Sequence, residues 1–118
     1  MVRSVVVCAA AVVVLVGLVF VLRPDTRAAG PQERTFEVSV EDGGMVPGLV
    51  RVGEGDLVTL VVRTDSALDV HVHGYGVGRE VGPGGDGGIS FRARLTGRFA
   101  VEDHRSGGEL GELVVEPR

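Results

Sequence analysis

The sequence predicts an all-β sandwich of about seven strands, preceded by one N-terminal apolar helix. Three observations point to it. Residues 5–22 form an unbroken apolar run of 18. The segments after Pro31 alternate apolar and polar side chains with a period of two, and none carries helical spacing. Turn residues recur about every 8–12 positions between those segments.

As a helix the apolar run rises about 27 Å, close to the ~30 Å hydrocarbon layer a span must cross. Arg3 precedes it, and Arg23, Asp25 and Arg27 follow. The run is longer than a signal-peptide core of about 7–15 residues, and the one tolerable cleavage sequence is Thr26-Arg27-Ala28. Residues 1–22 therefore read as a signal anchor or transmembrane helix, with a cleaved signal peptide as the alternative. Cys8, the chain's single cysteine, lies inside this run, so no intramolecular disulfide forms and cysteine usage does not report the compartment. Residues 23–33, bounded by Pro24 and Pro31, read as a linker.

From Pro31 onward there are nine Arg, fifteen Asp plus Glu and no Lys, a net charge of −6. That balance argues against nucleic acid, or an anionic membrane surface, as the main partner. Phe36, Val38 and Val40 alternate with Glu37, Ser39 and Glu41, which marks a half-buried first strand. Strands follow over Leu49–Val52, Leu57–Arg63, Asp69–Tyr75, Ile89–Leu95, Arg98–Asp103 and Leu110–Glu116. Leu57–Arg63 is the most apolar and belongs at the centre of a sheet. The glycine-rich stretch 74–88 reads as a long flexible loop. About 85 residues suffice for one modest core without disulfides.

Several motifs come in a telling order: Val46-Pro47-Gly-Leu-Val-Arg-Val52, Gly55-Asp56-Leu-Val-Thr-Leu60, His71-Val-His73-Gly-Tyr75, Thr96-Gly97-Arg-Phe99 and Gly111-Glu-Leu-Val-Val115. Over roughly residues 34–116 of an expected domain 34–118 the chain resembles the cupredoxin superfamily, the plastocyanin- and azurin-like small copper proteins. The resemblance implies a cupredoxin-like Greek-key β-sandwich. It also implies a copper site made by a mid-chain His with a Cys, a His and often a Met from the last loop.

Carried over residue by residue, His73 best matches the first ligand, with His71 as its alternate. His104 matches the second His when the loop is aligned back from Gly111, which puts Glu109 in the Met position and Val101 in the Cys position. Alignment forward from Gly97 puts Asp103 in the Cys position instead. Neither register supplies sulfur, and without a His₂Cys site blue-copper electron transfer is excluded for this chain.

The remaining donors are imidazoles and carboxylates. His71 and His73 are two apart on an expected strand, so they share a face. His104 can reach the same end, with Asp103, Glu102 or Glu109 adding oxygen. Such a set suits Cu(II), Zn(II) or Ni(II), with Cu(II) favoured by intrinsic affinity. The bland alternative is that His71 and His73 are ordinary polar strand residues and His104 caps a turn. No catalytic residues stand out: Ser66, Ser90 and Ser106 lack a nucleophile signature, and Gly82–Gly88 lacks the strand–helix junction and Lys of a phosphate loop.

The expected protein is a membrane-anchored, extracytoplasmic, cupredoxin-like binding or accessory module, not an enzyme and not a blue-copper carrier. Non-blue copper or zinc binding for sequestration or delivery is the alternative. Residues 5–22 would contact the membrane, and the sandwich edges or the glycine-rich loop would contact a protein partner. Localisation at the cell membrane, single-pass with the C-terminal domain outside, follows from the export-like position of the apolar run and from the resemblance; cleavage would make the protein secreted.

Overall fold

The structure is a computed structural model that describes residues 2–21 and 29–118. Helix α1 spans Val2–Val21. From Val5 to Leu18 its side chains are exposed and apolar on every side, as at Val13 and Leu15, whereas a helix seated on a globular core presents one apolar stripe. Among the described residues no helix is long and apolar enough to cross a membrane. Side chains of the apolar run are described only as far as Leu18, about 21 Å of rise from Val5. Residues 23–28 of the expected linker lie outside the described residues. Its last residue, Glu33, already belongs to the first strand.

Nine strands follow: β1 Glu33–Glu41, β2 Gly44–Val46, β3 Leu49–Gly53, β4 Leu57–Thr64, β5 Leu68–Val72, β6 Val77–Val81, β7 Asp86–Arg92, β8 Gly97–Asp103 and β9 Gly108–Glu116. They form two mixed sheets, ordered β2-β1-β4-β7 and β3-β9-β8-β5-β6. Parallel pairing joins β1 to β4 and β3 to β9. The strand count corrects the expected seven. Residues 74–88 are not one flexible loop: β6 and the start of β7 lie within them, and the turn between is residues 82–85.

Alternation drives the assembly. In β4 the even positions Val58, Leu60 and Val62 are buried, and in β5 Leu68, Val70 and Val72 are. These side chains meet Val38, Val101, Leu113 and Val115 in a single core between the sheets. Apolar burial of this kind is the main stabilising term, at roughly 25 cal/mol per Å².

The registers define two poles. At one, the entering chain 29–32, the turn 54–56 and the loops 73–76 and 93–96 come together: Leu57 donates its N–H to the Gln32 carbonyl, Gly55 to that of Ala93 and Glu54 to that of Glu116. Asp56 ties this pole from inside. It is fully buried and accepts the N–H groups of Gln32 (2.8 Å) and Gly53 (2.9 Å) and Nη2 of Arg118 (2.6 Å). The opposite pole carries the turns after β1, β4, β6 and β8.

Candidate functional site

Because β5 buries Leu68, Val70 and Val72, it turns Asp69 and His71 to the outer face of the five-stranded sheet. His71 Nε2 lies 2.9 Å from Asp69 Oδ1. An ionised carboxylate only accepts, so Nε2 carries the proton and donates it. Across from His71 on β6 stands Gly78. A Cβ on Gly78 would lie 2.6 Å from His71 Cε1 and Nδ1, so the ring rests on bare backbone there.

His104 is the first residue past β8. Its N–H donates to the Asp69 carbonyl at 2.8 Å. Its ring stacks on His71 with centroids 3.7 Å apart and planes 3° from parallel. One donor atom from each of Asp69, His71 and His104 lies within 4.8 Å of the others. The stack holds the ring lone pairs in two parallel planes, so both rings point at a single ion only after one tilts. His104, the exposed member, has room to do so.

The other expected ligands stand apart. His73 begins the turn after β5 and donates its N–H to the Ala100 carbonyl at 2.8 Å. Four residues of strand, about 13 Å, separate it from Asp69. Its side chain is 72% exposed, with Nδ1 3.8 Å from Glu102 Oε2. Glu109 is exposed and opposite Glu102 beside the bulge in the β8–β9 pairing. Neither joins the group around His71.

Asp103 turns inward and is 5% exposed. Oδ1 accepts the N–H groups of Asp69 (3.0 Å) and Arg105 (3.2 Å), and Oδ2 that of Ser106 (3.3 Å). Burial raises its carboxyl, but the Asp69 amide, the Ser106 hydroxyl and the amides of Arg105 and Ser106 outweigh it and hold the group below the usual Asp range. Its oxygens are committed to the turn. Val101, the other position for the missing thiolate, is buried in the core. The sandwich contains no cysteine, and neither position offers a soft donor, so these residues do not fit a type 1 copper.

Asp69 is the residue sequence reasoning missed. The signal was present in the alternation Asp69-Val-His71-Val-His73, which places all three polar groups on one strand face.

No protein-family model matches the chain, and no curated protein matches it. Solved structures do. One is the blue copper oxidase from Nitrosomonas europaea, at 24% identity and TM-score 0.63, covering 73% of this chain and 39% of that one. A second is the metal-binding domain of the Streptococcus pneumoniae Cu(I)-exporting P-type ATPase CopA with Cu(I), at 15% identity and TM-score 0.63, covering 75% and 90%. A third is a copper-binding protein solved in its apo form, at 18% identity and TM-score 0.62, covering 77% and 93%. The chain thus spans well under half the length of the oxidase. Together these likenesses make the sandwich cupredoxin-like.

Proposed function

We propose that this chain is a membrane-tethered, extracytoplasmic binding module that takes up Cu(II) on the outer face of its sandwich through Asp69, His71 and His104. The observation that carries the reading is the convergence of two imidazoles and a carboxylate within 4.8 Å. Nitrogen and oxygen donors without sulfur favour Cu(II) over Cu(I), and Cu(II) over Zn(II). Copper-named structural neighbours support the choice of metal. Asp69, His71 and His104 would hold the ion, with His104 tilting out of its stack to complete the set. The role is capture or delivery of copper rather than electron transfer or catalysis. The tether is α1, whose exposed apolar surface needs an apolar surrounding.

A second reading is a metal-free scaffold that contacts a protein. The stack and the Asp69–His71 bond favour it, because both are complete without an ion. Calorimetric titration of the full chain in detergent with Cu(II) and Zn(II) separates the two. Stoichiometric Cu(II) binding, weakened at least about tenfold by each of Asp69→Asn, His71→Ala and His104→Ala, supports the metal site. His73→Ala leaves the affinity within about twofold, since its ring lies a strand length away. Heat equal to that of buffer would sustain the scaffold.

A further inference from the structure

The pole where the chain enters the sandwich carries a second surface, unrelated to the histidines. Between Asp86 and Glu102 the sequence has Arg92, Arg94 and Arg98 and no acid. Loop 93–96 brings Arg94 and Leu95 to the tip of this stretch. The Arg94 side chain makes no hydrogen bond or ion pair among the described residues, its N–H donates to the Arg92 carbonyl at 2.9 Å, and Leu95 is 49% exposed. The loop is held rather than free: Tyr75 Oη donates to the Leu95 carbonyl at 2.7 Å and accepts the Leu95 N–H at 3.1 Å. Arg92 Nη1 donates to the Gly55 carbonyl at 2.9 Å. Beneath lies a cleft of about 380 Å³ lined by Tyr75, Phe91, Arg92, Arg94 and Leu95 with Gly74. Cationic groups around an apolar tip, over a shallow aromatic floor, match an interface that is anionic outside and apolar inside.

Arg98 is ion-paired with Glu112, so the charge this surface offers is that of Arg92 and Arg94. Glu116 is paired with Arg51 at 3.1 Å. Glu33 and Glu54 belong to the start of β1 and the turn after β3.

Chain connection says which surface lies in reach. Residues 31 and 32 pack at the same pole: Gln32 bonds to Asp56 and Leu57, and a Cβ on Gly55 would lie 3.0 Å from Pro31 Cγ. Seven residues lie between Val21 and Ala29, and the eight steps reach at most about 28 Å of extended chain. Loop 93–96 therefore stays within one short tether of α1.

We infer that the Arg92–Leu95 loop docks on the headgroup layer of the anionic phospholipid bilayer that holds α1. This rests on α1 being a membrane anchor. The sandwich's net charge of −6 opposes adsorption of the whole domain. Only this pole is drawn in, so docking orients the sandwich with the turn that carries His104 pointing away from the bilayer.

The chain contains no Trp, so Leu95→Trp gives a single reporter. The full-length variant is placed in vesicles of phosphatidylcholine alone, and of phosphatidylcholine and phosphatidylglycerol in equal parts. Blue-shifted emission, quenched by brominated lipid, is expected in the mixed vesicles and not in phosphatidylcholine. Arg94→Gln in the same background should lower the docked fraction about fivefold, the worth of one basic side chain at an anionic surface. Emission that is the same in both vesicle types, or indifferent to Arg94→Gln, overturns the dock. Flotation of the unmodified chain with phosphatidylcholine vesicles at about 1 M salt reads the anchor alone. A chain that floats there without the emission shift on anionic vesicles keeps the anchor and loses the dock. One that fails to float yet shows the shift loses the anchor and keeps the dock.

Discussion

Replacing Gly78 by Ala perturbs the proposed site without touching a ligand. The new Cβ would sit 2.6 Å from His71 Cε1 and Nδ1 and 2.7 Å from Nε2. Carbon contacts are comfortable at about 3.5–4.0 Å, so a gap of about 1 Å must open. The β6 backbone is held by its ladder to β5, and the ring yields first. Moving the ring forfeits the Asp69 bond, worth about 1 kcal/mol, and the His104 stack, worth roughly 0.5–1 kcal/mol. Relief of glycine's entropy cost in a strand returns about 0.5–1 kcal/mol. Stability should fall by about 0.5–1.5 kcal/mol, the difference between these terms. Cu(II) uptake needs the ring back in place, against the new methyl. Restoring about 1.5 kcal/mol of lost positioning costs at least about tenfold in affinity. Calorimetry with Cu(II) and urea unfolding of the same protein measure the two quantities. Gly88→Ala, whose Cβ would meet Thr59 Cγ2 at an ordinary 4.0 Å, serves as the control. Wild-type Cu(II) affinity in Gly78→Ala would refute the role given to the His71 ring.

Three further outcomes follow from the buried carboxylates and the imidazoles. Burial raises the Asp56 carboxyl, but the amides of Gln32 and Gly53 and the Arg118 guanidinium outweigh it and hold it below its ordinary range, as happens at Asp103. Both folded-state pKa values lie under their unfolded ones, so their stabilisation is complete above about pH 4 and is lost as pH falls through the lowered values; urea midpoints measured from neutral to strongly acid pH test this. Asp56→Asn leaves Arg118 without its anion and turns an amide NH₂ toward backbone donors. A loss of about 3 kcal/mol is expected in urea unfolding at neutral pH. Cu(II) competes with protons for the imidazole nitrogens, so its affinity should rise with pH, which calorimetric titrations repeated at several pH values test.

The sandwich was legible because its strands are half-buried. Val58, Leu60 and Val62, or Val70 and Val72, announce an inner face through period two alone. The two strands not expected carry weaker signals. β2 is three residues long. In β6 three consecutive positions, Gly78 to Glu80, are exposed, because this strand lies at the sheet edge, where little is buried. Gly78 reads as a loop residue when only its neighbours in sequence are considered, and its reason is the ring of a residue on the next strand. The site was half legible. His104, and His71 as the alternate to His73, follow from motif order. The separation of His73 from them depends on where β5 ends, and a strand taken to run through Tyr75 hides the turn that Gly74 and Gly76 make with φ of +83° and +64°.

The buried carboxylate of Asp103 also accounts for where the histidines meet. A carboxylate buried at the end of β8 requires several donors to remain charged. Asp103 finds them in the Asp69 amide and in the turn's own amides, at Arg105 and Ser106. Collecting these bonds draws the β8–β9 turn tightly over the carboxylate, and the Gly107 N–H closes it on the Asp103 carbonyl at 2.8 Å. The inward direction at this pole is then filled. His104, next in the chain after an inward residue, is directed outward by the alternation, where Asp69 accepts its N–H and His71 meets its ring. The filled inner side of this pole and the imidazole pair on the sheet's outer face are thus two consequences of one residue. A substitution that empties Asp103 of charge should loosen the turn and the histidine stack together.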